Sequence, residues 1–234
     1  MPTASTLVHG VADARGGIDM LDFDLLQREL YTGVICDVLD SLGFPNQAMQ
    51  ADIQPVLPHL TLVGQARTAL SVDVYEVVEN CYAKEIAWVD ALQPGDVAVG
   101  CTNRSTRTGL WGELLSTASK ARGARGAVMD GFVRDVRRIL DMGFPVFAAG
   151  TRPVDSRGRS VVFDYDVPVI CAGVHVRSGD IVFGDIDGVV IIPQEVAEET
   201  VAGALDKARR EDASRADLQA GAYLRDVFAK HGVL

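Results

Sequence analysis

The sequence predicts an α/β fold: a mainly parallel sheet layer, a β-rich section after it, and two helices at the C-terminal end. Three observations carry this. Strand and helix patterns alternate from residue 97 to residue 150, as βαβ units do. Short Val- and Ile-rich runs, split by DSRGR, SGD and GDIDG, fill 151–192. No stretch rich in Pro, Gly or Ser divides the 234 residues, so 1–234 is expected to be a single domain long enough to bury a sizeable core.

The elements follow in order. Residues 1–20 are small, polar and Gly-rich, and read as a loose or partner-held arm. LDFDLLQRELY, from Leu21, has helical spacing. TGVICDVLDSLGF follows as a second helix, with Thr32 as its cap and Val34, Val38 and Leu42 on one face; Gly43 and Pro45 end it. Residues 60–74 alternate as a strand pair or one long bent strand, and 75–92 are expected to be helical. VAVG (97–100) is a strand, 111–122 a helix stopped by Gly123, and Gly126–Met129 the next strand. A helix over 134–142 ends at Gly143, and 144–150 is a third strand. PGDVAVG (94–100) and SGDIVFG (178–184) resemble each other and read as two similar hairpin entries, not as a repeat. Pro193 opens a helix to about residue 213, and an amphipathic helix over about 215–230 suits a contact with another subunit.

Composition removes several functions. A net charge of −10 argues against nucleic-acid binding, which needs a basic surface. Cys36, Cys81, Cys101 and Cys171 show neither zinc nor CxxC spacing, and the four histidines are scattered. The N-terminus has no long apolar segment, and no stretch approaches 18 apolar residues. A cytoplasmic protein that engages no membrane is expected.

The chemistry collects around GAVMDGFVRD, 126–135. In a βαβ unit the carboxyl ends of strands and the amino ends of the following helices share one sheet edge, where ligands bind. A dozen helical residues travel roughly 18 Å, and six strand residues return about 20 Å. Glu113 is therefore expected close to Asp130, Arg134 and Asp135. The free N–H groups of Gly112 to Leu115 suit an anion such as a substrate carboxylate. Carboxylates gathered without His or Cys point to Mg²⁺ or Mn²⁺, with Asp135 as direct ligand and Glu113 as ligand or water-holder. Arg134 would then face the keto oxygen of a 2-oxo acid and stabilise an enolate, in aldol cleavage or β-decarboxylation. Plainer readings stand beside these. Arg134-Asp135 and Glu113 suit the first turns of solvated helices, and Asp130 an Asp-Gly turn. GDIDG lacks the spacing of a calcium loop and reads as a turn. Asp155 and Arg157 suit a pocket lining or a β-turn, the turn being preferred, and Trp111 suits the core.

With these residues in hand, the chain resembles the RraA-like family. That family includes class II pyruvate aldolases acting on 4-hydroxy-4-methyl-2-oxoglutarate, with associated oxaloacetate decarboxylase activity. The resemblance runs through CDVLDSLG (36–43), QPGDVAVG (93–100), WGELLSTASKARGARGAVMDGFVRD (111–135), FPVFAAGTRPVDSRGR (144–159) and VRSGDIVFGDIDGVVIIP (176–193). It implies a β/β/α layered fold like that of phosphohistidine swivelling domains, and homotrimers or homohexamers with sites between subunits. By the family motif, Asp135 is the metal ligand, Arg134 lies on the pyruvyl oxygen, and Glu113 holds metal-bound water. The resemblance likewise implies that the amides of Leu114 and Leu115 take the pyruvyl carboxylate. A neighbour's C-terminal acid matches Glu211 first and Glu199 second. Where the aldolase motif continues Arg-Asp-x-x-acid, this chain has Arg138, which leaves the aldol substrate open. Related members inhibit an RNA-degrading endonuclease instead of catalysing, and that is the alternative function.

Overall fold

A twelve-residue strand organises the molecule. In the computed structural model, which describes residues 21–233, β2 (Leu62–Asp73) runs unbroken, the long bent strand of the two sequence alternatives. Its first half pairs in parallel with β3 (Asp96–Cys101) on one side and antiparallel with β10 (Ile181–Asp185) on the other. Its second half, from Ala69, pairs antiparallel with β7 (Ser160–Tyr165), with an irregularity at Leu70/Ser71. The two Gly-Asp motifs deliver those flanking strands. Gly95 and Gly179 turn the chain at φ +91° and +97°, a region where side chains are strained. In each turn the following aspartate accepts a backbone N–H three residues back, Asp96 from Gln93 at 2.8 Å and Asp180 from Arg177 at 2.7 Å.

β3 continues in parallel to β5 (Gly126–Val133), and β5 to β4 (Gly109–Trp111) and β6 (Val146–Thr151). At the far edges lie β1 (Gln54–Pro55), on β6, and β11 (Gly188–Ile192), on β10. The segment before β1 reaches across to β11: Met49 N–H donates to Val189 O at 2.8 Å, and Ile191 N–H to Gln47 O at 2.9 Å. The sheet thereby nearly closes into a barrel. It is mixed, not mainly parallel, because the β-rich section adds its strands antiparallel. A hairpin of β8 (Val169–Cys171) and β9 (Val174–Val176) packs its valines against Val97, Val99, Val128 and Phe147 inside the sheet. Its turn residues Ala172 and Gly173 both have positive φ, as a tight two-residue hairpin loop requires.

The helices cover the outer face in two groups. Trp88 and Val89 of α3 (Ala83–Asp90) and Ile139 of α5 (Val136–Met142) pack with Ala98, Ala127, Met129 and Val146; α4 (Glu113–Ala121) lies beside them. Leu26 of α1 (Phe23–Glu29), Val34, Ile35 and Leu39 of α2 (Thr32–Ser41), and Val201 and Ala204 of α6 (Ala197–Gln219) cover Val63, Ile181, Phe183 and Val190. These layers are the β/β/α arrangement expected. Trp111 is core, as read from sequence. It meets Trp88 edge-on at 5.6 Å between centroids, and its Nε1–H donates to Ser116 Oγ at 2.8 Å. Such an aromatic pair adds roughly 1 kcal/mol beyond burial.

Several boundaries differ from the sequence reading. Helix 75–92 is confined to α3, and 74–82 is a loop in which Asn80 takes φ +54° and Val77 and Val78 stay exposed. Trp111 ends a strand and is not helical. Pro193 caps a short 3₁₀ turn, Gln194–Val196, before α6. α6 continues to Gln219, past the predicted break, because its charged residues are good helix formers; α7 (Leu224–His231) follows. Helix α2 begins at Thr32, and its cap comes from across the chain. Asp185 of GDIDG accepts both Thr32 N–H and Oγ–H at 2.8 Å while it shapes the β10–β11 turn. The arm predicted at 1–20 lies outside the described residues. Among the described residues no helix is long and apolar enough to cross a membrane.

Candidate active site

Four segments meet at the carboxyl edge of the parallel strands. β4 ends at Trp111 and Gly112 leads into α4; β5 ends at Val133 and gives Arg134 and Asp135. β2 leads through the 74–82 loop to α3, and β6 leads into the loop that carries Asp155. Arg134 N–H donates to Trp111 O at 2.8 Å, which locks the two loop starts together. Arg134-Asp135 is not a first helical turn. Asp135 is the N-cap residue of α5, in the left-handed conformation at φ 58° and ψ 28°. That conformation costs roughly 1 kcal/mol or more in a non-Gly residue, and it persists where the surroundings over-determine it.

The consequence is that Asp135 turns back toward α4. Its Oδ2 accepts the Glu113 N–H at 3.4 Å. A Cβ on Gly112 would sit 2.7 Å from that oxygen and 3.2 Å from Arg134 Nε, so only glycine leaves the space in front of this carboxylate open. Gly112 supplies no side-chain cap to α4, so the first-turn amides of Leu114 and Leu115 remain for an anion.

Arg134 lies between two carboxylates. Its Nη2 is 3.0 Å from Asp155 Oδ1, and its Nε is 3.7 Å from Asp135 Oδ2. That Nε is buried and has no hydrogen-bond partner among the described residues. Asp155 also accepts the Tyr82 O–H, and the Arg157 N–H at 3.2 Å. Burial pushes the Asp155 carboxyl up, but the Tyr82 hydroxyl, the Arg157 and Ser156 amides and the Arg134 charge more than offset it; the net shift is down. The bond to Asp155 pushes the Tyr82 hydroxyl up to about 12. One turn along α3, Glu85 is only 6% exposed. Burial holds its carboxyl up at about 7, the nearby Asp155 charge adds to this, and Arg134 opposes it.

The remaining sequence candidates divide. Glu113 reaches the edge as expected, yet its side chain runs along the helix and accepts the Thr117 hydroxyl at 2.8 Å. Asp130 does not join the site, nor does it make a turn. β5 continues through Asp130–Gly131, and the buried Asp130 accepts the Thr102 N–H, and the Thr102 hydroxyl at 2.8 Å. Gly131 permits this, since a Cβ there would sit 2.4 Å from Thr102 Oγ1. Glu211 is not brought to Arg134 within the chain: it accepts the Tyr31 hydroxyl and lies 3.9 Å from Lys207 Nζ. Glu199 is exposed on α6. Arg138 is exposed and makes no ion pair among the described residues. Tyr82 and Glu85 carry no signal in the sequence; Asp155, for which a pocket lining or a turn is expected, makes the turn and also pairs with Arg134.

Asp135 faces the start of α4, where its Oδ2 accepts the Glu113 N–H. Among the described residues no three His, Cys, Asp or Glu side chains gather into a cage. A lone exposed carboxylate of this kind would be a ligand only to a hard cation that keeps most of its water, as Mg²⁺ does with one or two carboxylates.

The geometry defines a class: a mixed α/β protein in which a helix start, Arg134 and Asp135 share the carboxyl edge of parallel strands. A family model described as RraA-like, Aldolase/RraA, matches residues 32–191, and the chain belongs to that family. It is 32% identical over 197 residues to a Halalkalibacterium halodurans protein named "Putative 4-hydroxy-4-methyl-2-oxoglutarate aldolase", covering 83% of this chain and 87% of that one. A Halorhodospira halophila protein of the same name is 33% identical, over 71% of this chain and 98% of its own. Among solved structures, Streptomyces coelicolor RraAS2, described as an unusual member of the RNase ES inhibitor RraA protein family, superposes with a TM-score of 0.73. It is 30% identical and covers 82% of this chain and 94% of its own.

Proposed function

We propose that the protein is a Mg²⁺- or Mn²⁺-dependent carbon–carbon lyase that forms pyruvate enolate from a 2-oxo acid. The observation that carries this is the pairing of Arg134 and Asp135 beside the uncapped start of α4, with Gly112 keeping the space between them open. The aldolase names of the relatives support the same class. The amides of Leu114 and Leu115 bind the substrate carboxylate. Arg134 faces the 2-oxo oxygen and stabilises the charge that grows there. Asp135 would hold the cation, with Glu113 on its water shell; when bound, the cation supplies Lewis-acid polarisation of the 2-oxo group.

For oxaloacetate, the bond to the distal carboxylate breaks, CO₂ leaves, and its electron pair passes into the enolate on which Arg134 acts. A solvent proton then gives pyruvate. For a 4-hydroxy-4-methyl-2-oxoglutarate-type substrate, a base removes the hydroxyl proton, the C3–C4 bond breaks as the alkoxide becomes a carbonyl on the departing 2-oxo acid, and the bond's electron pair forms the pyruvate enolate, which a solvent proton converts to pyruvate. Glu113, or Glu211 of a second copy in a homotrimer or homohexamer, is assigned that acid–base role.

Pyruvate release from oxaloacetate by metal-stripped protein, with and without Mg²⁺ and less the rate of the free ion, tests the proposal. Asp135→Ala should abolish the Mg²⁺-dependent rate, and Arg134→Ala should lower kcat by about 10²- to 10³-fold. Full activity in either variant would remove the assignment. The similarity to RraAS2 and the net charge of −10 favour one second reading, an acidic regulator of a ribonuclease. Salt-sensitive inhibition of such a nuclease that survives Asp135→Ala would establish it.

A further inference from the structure

Arg134 and Asp135 are chain neighbours of opposite charge, and both are needed separately by the proposed chemistry. Left alone, a long arginine side chain would fold onto the adjacent carboxylate and neutralise it. The structure holds them 3.7 Å apart at their closest atoms, while Arg134 Nη2 is drawn to Asp155 at 3.0 Å. Asp155 lies one loop past β6, twenty-one residues from Arg134 (155 − 134), so this contact comes from the fold and not from local sequence.

Asp155 is itself fixed. One oxygen takes the Tyr82 hydroxyl and the Arg157 amide, which leaves the other for the arginine. Its loop is closed by Arg159 N–H and Ser160 N–H, both donating to Ser156 O at 2.8 Å. Tyr82 stands at the N-cap of α3, whose Trp88 and Val89 are buried in the core under the sheet. A chain of contacts thus runs from the packed core to the guanidinium.

We propose that Asp155, anchored by Tyr82, is a positioning residue: it holds the Arg134 guanidinium off Asp135 and in front of the α4 amino terminus. The orphaned Nε–H and the free edge of the guanidinium then meet the substrate oxygen. The buried Nε–H has no hydrogen-bond partner among the described residues, which fits an atom that a ligand would satisfy. This inference rests on the enolate-forming reading for its functional consequence, and on geometry alone for the clamp.

The test uses Asp155→Asn, which keeps the volume but removes the charge, Tyr82→Phe, and the double variant, in the full chain. Two readouts are taken. The first is the rate of phenylglyoxal modification of Arg134, followed by peptide mass spectrometry without substrate or metal. The second is kcat and KM for Mg²⁺-dependent oxaloacetate decarboxylation. Asp155→Asn should raise the modification rate about fivefold or more. It should lower kcat about 10- to 100-fold while moving KM less than about threefold, since the carboxylate cradle is untouched. Tyr82→Phe should give a smaller change in the same direction, and the double variant should be no worse than Asp155→Asn, because Tyr82 acts through Asp155. Unchanged Arg134 reactivity in a folded Asp155→Asn, or additive losses in the double variant, would overturn the clamp; if Asp155→Asn does not fold, Tyr82→Phe decides by the same two readouts. Absence of Mg²⁺-dependent turnover in the wild-type protein would instead remove the lyase reading, and Arg134 reactivity would still decide the clamp.

Discussion

Glu85 makes a stability prediction that can be worked from its surroundings. It sits in the first turn of α3, 6% exposed, facing the charges of Asp155 and Arg134, with its carboxyl held at about 7 against an ordinary 4.5. Burial is the main cause, the Asp155 charge adds to it, and Arg134 takes some back. A raised acid is protonated in the folded chain at pH values where the unfolded chain has already released the proton. Its contribution to stability is therefore greatest below about pH 4.5, falls as pH rises toward 7, and is level above that. A shift from 4.5 to about 7 corresponds to about 3 kcal/mol in total. About 2 kcal/mol of this falls between about pH 5.5 and about pH 8. Glu85→Gln removes the ionisation and keeps the shape. Urea unfolding of both proteins at those two pH values isolates the effect, because titrating groups not coupled to Glu85 cancel in the difference. The variant should gain about 2 kcal/mol relative to wild type on going to the higher pH. A difference that stays constant within about 0.5 kcal/mol would refute the reasoning, since single-site comparisons resolve that much.

The other predictions concern shape and capping. Gly112→Ala places a Cβ 2.7 Å from Asp135 Oδ2. Its backbone φ of −145° is open to alanine, so Mg²⁺-dependent turnover should fall at least about tenfold while thermal unfolding moves little, as expected when the clash lies in the site. Wild-type turnover in this variant would show that the space before Asp135 is not used. Asp185→Ala removes both acceptors of the Thr32 N–H and hydroxyl at the start of α2. It should cost about 1–2 kcal/mol in denaturant unfolding, the usual loss of a helix cap; a cost under about 0.5 kcal/mol would mean that water replaces the carboxylate without penalty.

Much of this site was legible because one geometric rule carries far. The rule that strand ends and following helix starts share an edge brought Glu113, Arg134 and Asp135 together across 22 residues, and the Glu113 amide does meet Asp135. Gly43, Gly123 and Gly143 marked helix ends at which φ is positive, and the two Gly-Asp turns marked the strands flanking β2. Closure of the sheet was not legible. It depends on a few hydrogen bonds between 47–49 and β11, from a segment with no periodicity of its own. Asp130 misled because Asp-Gly is a turn pair by local preference, and the partner that keeps it in a strand, Thr102, lies 28 residues away.

The failure at Asp155 has a different cause. PVDSRGR does make a turn, with Arg157 N–H on the Asp155 carboxylate, so the local reading was sound and still incomplete. The edge rule holds for the neighbours of β5 as well as for β5 and the start of α4. β6 is parallel to β5, so the loop after it must emerge beside Arg134. β2 is parallel to β3, so the segment that follows it leaves from the same edge, and there Tyr82 reaches Asp155 across 73 residues. Once adjacent parallel strands are granted, an acidic residue in the next loop becomes the first candidate for holding an arginine that would otherwise collapse onto its own neighbour. The charge pair beside β5 therefore has its explanation in a third charge, supplied by the next strand of the same sheet.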